Sequence, residues 1–272
     1  QHYIFGMNRT NETVYLFVGT SETEGKIAED VYEYTLRKNC SQPLEIIWMR
    51  PSNMGFDNMN GFGTPFTLFR YCVPAMMGWK GRAIYTDCDM LNLRDIADLF
   101  NTDLEGKAFG LTYDALHDNG AACKAMGFTK GFFMDSVILF DCEKAREYLH
   151  DIDVIKRWKG DGIYKWEFLR NIGLPDMEEA KKHVKWLDYR WNVCDGANAE
   201  KYDDPDYDWK EGGRAEWSKK TLVPLEECWQ IHYTALSYQP WHPRYSPWSK
   251  ASYRDYEYAK AWWDVARIVG KR

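Results

Sequence analysis

Two aspartates separated by one residue form the strongest chemical signal in this sequence. Asp87 and Asp89 follow the apolar, β-rich run 83–86, which predicts a strand that ends at this pair. Two carboxylates in a turn at the end of a strand can converge on one cation, and a hard divalent ion takes oxygen ligands while keeping positions open for phosphate oxygens. The pair therefore predicts a metal site that faces a phosphate-containing ligand.

A second candidate site lies in the loop that follows the first predicted strand. The apolar run 14–18 predicts a buried strand, and Gly19, Thr20 and Ser21 come directly after it. A helix-like segment and a second apolar run, 44–49, follow, and this β–loop–α–β order favours a parallel sheet with crossover helices. Ligands in such sheets bind beyond the C-terminal ends of the strands, so we expect this loop to contact a nucleotide. A plain strand-to-helix turn is the alternative.

The remaining predicted elements complete one α/β domain. The patterns predict further strands over 83–86, 107–112 and 131–140, and helices over 66–79, 92–100, 141–150, 176–187 and 253–269. The acidic, polar stretch 195–220 predicts a surface loop. The chain has no internal repeat and no linker between two domains. We therefore expect a single α/β domain with a mixed, mostly parallel central sheet, helices on both faces and a Rossmann-like N-terminal half.

Composition and charge exclude several classes of function. The chain has 272 residues, a net charge of −6 and no basic tract, which argues against binding to nucleic-acid phosphates. No apolar run approaches the ~20 residues that span a bilayer, so we expect no transmembrane segment. The seven cysteines include no Cys-x-x-Cys pair, which indicates reduced thiols and a cytoplasmic protein.

Several segments taken in order resemble the donor-site core of the glycogenin and lipopolysaccharide galactosyltransferase family. These are retaining glycosyltransferases of the GT-A fold, in which paired aspartates bind Mn²⁺ and the ion holds the diphosphate of a nucleotide sugar. The similar segments are 69–74, 83–90 and 95–100. The resemblance implies that Asp87 and Asp89 are metal ligands and that Arg70 lies at the donor pocket.

Three later segments agree with the same family in order and spacing. Residues 133–139 are similar to the strand that contacts the donor sugar, with Asp135 in place of the usual Asn. Residues 160–164 resemble the segment whose carboxylate lies near the reacting carbon, and Asp161 falls on that carboxylate. Residues 190–192 are like the short Trp-Asn segment of the family. The resemblance implies catalytic roles for Asp135 and Asp161.

The segment 231–241 resembles the C-terminal His…Lys-Pro-Trp signature of the family. His232 falls on the third metal ligand, and an imidazole beside two carboxylates suits Mn²⁺ better than Ca²⁺. Gln239 stands in place of the Lys that binds phosphate, and a neutral amide brings no cation to the diphosphate. We therefore expect that a Gln239→Lys variant binds UDP more tightly at low salt.

The resemblance implies a metal-dependent glycosyltransferase that uses Mn²⁺ or Mg²⁺ to transfer a hexose from a nucleotide sugar, UDP-linked, with retention. The acceptor is a hydroxyl group of a glycan, a glycolipid or a protein. We expect a nucleotide-binding half over 12–110, a donor-sugar and acceptor half over 111–243, and a helical tail over 244–272. Two alternatives stay open: a non-catalytic protein of this fold that binds sugar nucleotides, and a sugar nucleotidyltransferase. The acidic character of the 19–22 loop argues against a nucleotidyltransferase, which needs a basic, Gly-rich loop there.

Overall fold

The computed structural model describes residues 12–22, 24–56, 64–118, 127, 130–157, 163–174, 176–195, 223–234, 239–241 and 256–270. The strands in this part of the chain are β1 (Val14–Gly19), β2 (Leu44–Met49), β3 (Arg82–Asp87), β4 (Met90–Asn92), β5 (Phe109–Asp118), β6 (Lys130–Asp141), β7 (Val184–Trp186), β8 (Val193–Cys194) and β9 (Gln230–His232). They form a six-stranded sheet with the order β2-β1-β3-β6-β5-β7 and a three-stranded sheet with the order β4-β9-β8.

The large sheet is mixed, and most of its pairings are parallel. Strand β1 pairs in parallel with β2 and β3, and β7 pairs in parallel with β5, whereas β6 is antiparallel to both of its neighbours. The register sets Gly19 opposite Asp87, so β1 and β3 end side by side at one edge of the sheet. This topology confirms the predicted α/β fold and brings the two candidate loops together.

Nine α-helices lie in the described residues. They are α1 (Lys26–Lys38), α2 (Pro51–Met54), α3 (Val73–Met76), α4 (Ile96–Phe100), α5 (Cys142–Ala145), α6 (Ile152–Arg157), α7 (Ile163–Asn171), α8 (Met177–Ala180) and α9 (Tyr256–Val269). Short 3₁₀ helices cover Phe69–Cys72, Tyr189–Asn192 and Leu225–Glu227. Among these elements, no helix has both the length and the apolar character that crossing a bilayer needs.

Alternation along the central strands divides the core into two layers. Side chains of successive strand residues point to opposite faces of a sheet. In β1, Val14, Leu16 and Val18 join one buried cluster, and Phe17 joins the other. In β3, Ile84 and Tyr85 are divided in the same way. Both faces of the sheet are therefore covered, which explains why its central strands are apolar runs.

A third buried cluster joins the small sheet to the last helix. It contains Leu91 of β4, Ile231 of β9 and Val31 of α1, together with Tyr258 and Trp262 of α9. Helix α1 packs against both α9 and β4. The C-terminal helix thus stabilises the side of the molecule on which β4 and β9 pair.

Four of the predicted helices are wrong in extent. Of the segment 66–79, only the 3₁₀ helix Phe69–Cys72 and α3 are helical, and of 141–150 only α5 is. In the other two, strands take part of the segment. The segment predicted as a helix over 92–100 begins as β4, and α4 starts only at Ile96, where the Asp95 side chain accepts a hydrogen bond from the Ala97 amide. The predicted helix after Asp176 ends after the single turn of α8, and the chain continues as β7 on the edge of β5. Tertiary strand pairing overrides the local helical spacing there.

Candidate metal and donor site

Asp87 ends β3, Asp89 lies in the turn between β3 and β4, and His232 ends β9. The antiparallel pairing of β4 with β9 sets Met90 opposite His232, and the Tyr233 amide donates to the Asp89 carbonyl at 2.9 Å. A two-residue connection leads from β3 in the large sheet to β4 in the small sheet, and β4 pairs with β9. This connection places the two aspartates beside His232.

Asp87, Asp89 and His232 form a compact cluster of possible metal ligands. Each offers one ligand atom, these atoms all lie within 4.8 Å of one another, and all three residues are buried. Two ligands on opposite sides of an ion, each bound at about 2.1 Å, are about 4.2 Å apart, so this spacing suits a divalent cation. Asp89 Oδ1 is buried, accepts no hydrogen bond from the described residues, and lies 3.2 Å from His232 Nε2. An unsatisfied carboxylate oxygen inside the cluster fits a metal ligand.

Burial and mutual charge perturb the protonation of these groups. Burial raises the pKa of the Asp87 carboxyl to about 6, and the Arg70 guanidinium opposes that rise. Burial also disfavours the protonated His232 ring, but the Asp89 carboxylate outweighs it and holds the pKa of His232 well above its ordinary value. The cluster is thus a place where negative charge is concentrated and only partly compensated.

Arg70 joins one candidate metal ligand, Asp87, to Asp135. Its Nη2 donates to both carboxylate oxygens of Asp87, at 3.0 and 3.2 Å, and its Nη1 donates to Asp135 Oδ1 at 2.6 Å. The Tyr71 hydroxyl donates to the other oxygen, Asp135 Oδ2, at 2.6 Å. Burial disfavours the guanidinium, yet the two carboxylates outweigh it and raise the pKa of Arg70. Asp135 and Arg70 therefore form a buried ion pair directly behind Asp87.

The end of β1 must approach Asp87 closely. The Tyr85 hydroxyl donates to Asp87 Oδ1 at 2.6 Å. A Cβ added at Gly19 would lie 2.0 Å from that hydroxyl oxygen, a distance that no real contact allows. The Cys88 amide, between the two aspartates, donates to the Gly19 carbonyl at 3.0 Å. Gly19 is therefore required for packing against the Asp turn.

The loop after Gly19 is tied to α1 and β2. Thr20 is fully buried, and its hydroxyl donates to Glu29 Oε1 at 2.8 Å. The other oxygen of Glu29 is paired with Arg50, which follows β2. Ser21 is also buried, and the Glu24 amide donates to its carbonyl at 3.2 Å. This loop is a fixed part of the sheet edge beside the Asp turn, and its contact with a nucleotide stays a prediction.

Gln239 forms a hydrogen bond with Asp89, the second candidate metal ligand. Its amide Nε2 donates to Asp89 Oδ2 at 3.1 Å and to the Tyr233 carbonyl at 2.8 Å, so both amide hydrogens have acceptors. The side chain is buried. The structure therefore places Gln239 beside the cluster of candidate ligands. Its amide holds Asp89 Oδ2, and Asp89 Oδ1 accepts no hydrogen bond from the described residues.

The far side of the His232 ring is also held by hydrogen bonds. Its Nδ1 lies 3.0 Å from Asn192 Oδ1 and 3.3 Å from Ser136 Oγ. Asn192 Nδ2 donates to Ser136 Oγ at 2.9 Å and to Thr112 Oγ1 at 3.2 Å. Ser136 neighbours Asp135 on β6 and points to the opposite face of the sheet. Strand β6 thus supports His232 with one side chain and Arg70 with the next.

The sequence pattern identified the charged members of the site better than the neutral ones. The structure brings together all three predicted metal ligands with Arg70, Asp135, Gln239 and the 19–21 loop, while Asp161 lies outside the described residues. Sequence reasoning missed the supporting hydroxyl and amide groups. These are Tyr71, Tyr85, Thr112, Ser136 and the side-chain role of Asn192. Their available signal was their position in segments similar to the family, which hold Tyr71, Tyr85, Ser136 and Asn192 but not Thr112.

Comparisons with known proteins agree with this architecture. No family model matches the chain. Protein CDI of Arabidopsis thaliana is 22% identical over 259 residues, which cover 91% of this chain and 83% of that protein. The crystal structure of the galactosyltransferase LgtC in complex with donor and acceptor sugar analogues matches with a TM-score of 0.59 and 15% identity, over 94% of this chain and 96% of LgtC.

Two further glycosyltransferases share the fold over almost the whole chain. The bifunctional glycosyltransferase WbbM matches with a TM-score of 0.58 and 11% identity, over 96% of this chain and 51% of WbbM. The glycosyltransferase GlyE of Streptococcus pneumoniae matches in its apo form with a TM-score of 0.55 and 15% identity, over 96% of this chain and 63% of GlyE. The sheet, its strand order and these matches together establish that the chain has the fold of the GT-A glycosyltransferases.

Proposed function

We propose that this protein is a metal-dependent glycosyltransferase that transfers a hexose from a UDP-sugar to a hydroxyl group, with retention of configuration. The observation that carries the proposal is the Asp87–Asp89–His232 cluster, with its unsatisfied Asp89 oxygen, at the C-terminal end of β3 in a GT-A fold. Ligands bind at that edge in open α/β sheets. The names of the solved neighbours, all glycosyltransferases, support the same reaction class.

The charges around the cluster support a divalent cation. With His232 neutral, as a metal ligand must be, Asp87, Asp89 and Asp135 carry three negative charges, and Arg70 supplies one positive charge among them. The remaining charge of −2 sits in a buried region, where isolated charge is costly. Mn²⁺ or Mg²⁺ would balance it, and a carboxylate–imidazole ligand set favours Mn²⁺.

Each side chain then has a distinct task. Asp87, Asp89 and His232 would hold the ion, which, when bound, supplies a Lewis acid for the departing diphosphate. Arg70 fixes the orientation of the Asp87 carboxylate and compensates the negative charge of Asp135. The Asp87 carboxylate would therefore be in place before the ion binds. Groups that are fixed in position before the reaction lower its activation barrier most. The hydrogen bonds that hold these side chains therefore support a role in sugar transfer and not only in binding.

The roles of the other predicted residues follow from their neighbours. The loop of Gly19, Thr20 and Ser21 borders the Asp turn and would contact the base and ribose of the nucleotide. Asp135 would provide fixed negative charge behind the donor sugar, and Asp161 would lie near the reacting carbon. The acceptor would be a hydroxyl group of a glycan, a glycolipid or a protein.

One variant tests the metal site directly. Asp89→Asn keeps the size of the side chain and removes its charge, so we expect the fold to persist while Mn²⁺-dependent UDP binding is lost in isothermal titration calorimetry. Thermal unfolding of the variant without metal serves as the control for folding. Wild-type affinity for UDP plus Mn²⁺ in Asp89→Asn would overturn the proposed site.

A second measurement separates the reaction classes. We expect release of UDP from a UDP-hexose in the presence of Mn²⁺ and none in EDTA, with water replacing the acceptor. Binding of the UDP-hexose without any release would identify a non-catalytic protein of this fold. Release of UTP on addition of pyrophosphate would identify a nucleotidyltransferase.

A further inference from the structure

We propose that Asn192 is a positioning residue that keeps the ring proton of His232 on Nδ1 and so leaves Nε2 free to bind the metal ion. The inference rests on the proposed function, because it concerns the metal ligand of that site. It is carried by a chain of buried hydrogen bonds that runs from β5 to His232. The bonds at Thr112 and Asn192 have a set direction, and the bond to the His232 ring takes its direction from them.

The chain begins at Thr112 of β5. Its hydroxyl donates to the Met134 carbonyl at 3.5 Å. A hydroxyl group has a single hydrogen, so its oxygen is left to accept from another group. Asn192 Nδ2 lies 3.2 Å from that oxygen and donates to it. The Thr112 hydroxyl therefore decides which end of the Asn192 amide faces β5.

The orientation of the amide then decides the tautomer of the histidine. Asn192 Nδ2 uses both of its hydrogens, one on Thr112 and one on Ser136 Oγ at 2.9 Å. The opposite end, Oδ1, faces His232 Nδ1 at 3.0 Å. Because an amide oxygen can only accept, Nδ1 must carry the hydrogen. A flipped amide would draw the Thr112 hydroxyl away from the Met134 carbonyl, and because Thr112 and Asn192 are fully buried, no solvent would replace that bond.

The consequence appears at the other ring nitrogen. His232 Nε2 lies 3.2 Å from Asp89 Oδ1 and belongs to the ligand cluster. A neutral ring that was not held by Asn192 would place its proton on Nε2 and donate it to the Asp89 carboxylate. That hydrogen bond would occupy both the histidine lone pair and the open carboxylate oxygen. Asn192 prevents this closed arrangement, and partners of this kind commonly set the orientation of a metal-bound histidine.

Three variants test the proposal. Asn192→Leu removes the acceptor, and we expect its Mn²⁺ affinity in isothermal titration calorimetry to fall by about 10- to 100-fold. Thr112→Val removes the hydroxyl that orients the amide without touching the histidine, and we expect a loss of about 3- to 10-fold. Thr112→Ser keeps the hydroxyl and is the matched control, with an affinity within about twofold of the wild type. The Thr112 pair keeps the test valid if Asn192→Leu does not fold.

The tautomer itself is read by nuclear magnetic resonance. Long-range ¹H–¹⁵N spectra of metal-free protein labelled with ¹⁵N-histidine report which ring nitrogen keeps its proton when the ring is neutral, and His232→Asn assigns the signal. We expect the proton on Nδ1 in the wild type and in Thr112→Ser, and on Nε2 in Asn192→Leu. An unchanged tautomer in Asn192→Leu overturns the proposal, whatever its Mn²⁺ affinity. A wild type that binds no Mn²⁺ refutes the proposed metal-dependent function, while the spectra still decide the role of Asn192.

Discussion

Removal of the Gln239 amide should destabilise the protein and also free the Asp89 carboxylate of the candidate metal site from its present orientation. In a Gln239→Leu variant, Asp89 Oδ2 and the buried Tyr233 carbonyl lose the donor that now lies at 3.1 and 2.8 Å. A hydrogen bond to a charged acceptor contributes about 1.5–3 kcal/mol and a neutral one about 1 kcal/mol. We therefore expect the free energy of unfolding to fall by about 2.5–4 kcal/mol.

A double-mutant cycle isolates the bond to Asp89. Urea denaturation followed by tryptophan fluorescence, in EDTA, gives the free energy of unfolding for the wild type, Gln239→Leu, Asp89→Ala and the double variant. If the amide holds Asp89, the cost of Gln239→Leu shrinks in the Asp89→Ala background by the value of the charged bond, about 1.5–3 kcal/mol. A coupling energy below about 0.5 kcal/mol would refute the contact and the positioning role with it.

The same contact changes what a lysine at this position should do. The ammonium of a Gln239→Lys variant would face the Asp89 carboxylate, and at about 4 Å their attraction is on the order of 4 kcal/mol for an effective dielectric of 20. The introduced ammonium would therefore compete with Mn²⁺ for Asp89, and we expect at least a roughly tenfold loss of Mn²⁺ affinity without nucleotide. Gln239→Met is the matched control, since it has similar length and no charge. Tighter Mn²⁺ binding by the lysine variant than by the methionine variant would contradict this reasoning.

Three further outcomes follow from the packing and the charges. Gly19→Ala should cost about 1–3 kcal/mol of stability and weaken Mn²⁺ binding, because its Cβ would displace the Tyr85 hydroxyl from Asp87. Burial, with Asp89, Asp87 and Glu29 nearby, raises the pKa of Glu24 to about 7, so the unfolded chain loses this proton first and the free energy of unfolding of metal-free protein should fall as the pH rises from about 4.5 to 7. Glu24→Gln should remove about 1–2 kcal/mol of that fall, an amount reduced for solvent screening. Burial raises the pKa of Cys72 and of Cys142 to about 12, so both thiols should resist iodoacetamide in the native protein at about pH 8.

Each of these three outcomes has a control within the chain. Adding Tyr85→Phe to Gly19→Ala removes the displaced hydroxyl and should recover part of the lost stability; no recovery would contradict the clash. Denaturation curves with and without Glu24 across this pH range should converge at the acid end, and a constant difference would contradict the shift. Mass spectrometry of alkylated peptides should find the half-buried Cys40 labelled before Cys72, and equal labelling of both would contradict the burial argument.

The charged residues Asp87 and Asp89 could be predicted from the sequence, because acidic residues and apolar strand patterns are local signals. Asp87 and Asp89 follow a recognisable buried strand, and the order of β1, α1 and β2 is legible from apolar spacing alone. The recovery of His232 needed the family resemblance, since 143 residues separate it from Asp89 and nothing in its own neighbourhood predicts a ligand. The pairing of β4 with β9 supplies the missing link.

Local patterns fail where long-range pairing decides the structure. The spacing of Val184 and Leu187 is helical, yet the segment forms β7 because the edge of β5 offers unpaired backbone groups. The same limit hides Asn192, whose role depends on a hydroxyl 80 residues earlier in the chain and on a histidine 40 residues later. Hydrogen bonds between side chains that are distant in sequence produce no periodic pattern, so the sequence alone does not predict them.

The charge of the site suits a neutral Gln239 where the similar family has a lysine. With His232 neutral, three carboxylates and Arg70 leave −2 around the cluster, which a single divalent cation would balance. A lysine at position 239, within reach of Asp89, would reduce that charge to −1 and weaken the attraction for the ion. The neutral amide keeps Asp89 Oδ2 fixed by a hydrogen bond while leaving the full charge for the metal. In the similar family the lysine shares the charge of the diphosphate, so under the proposed function that charge would be balanced here by the metal ion and the residues that hold it.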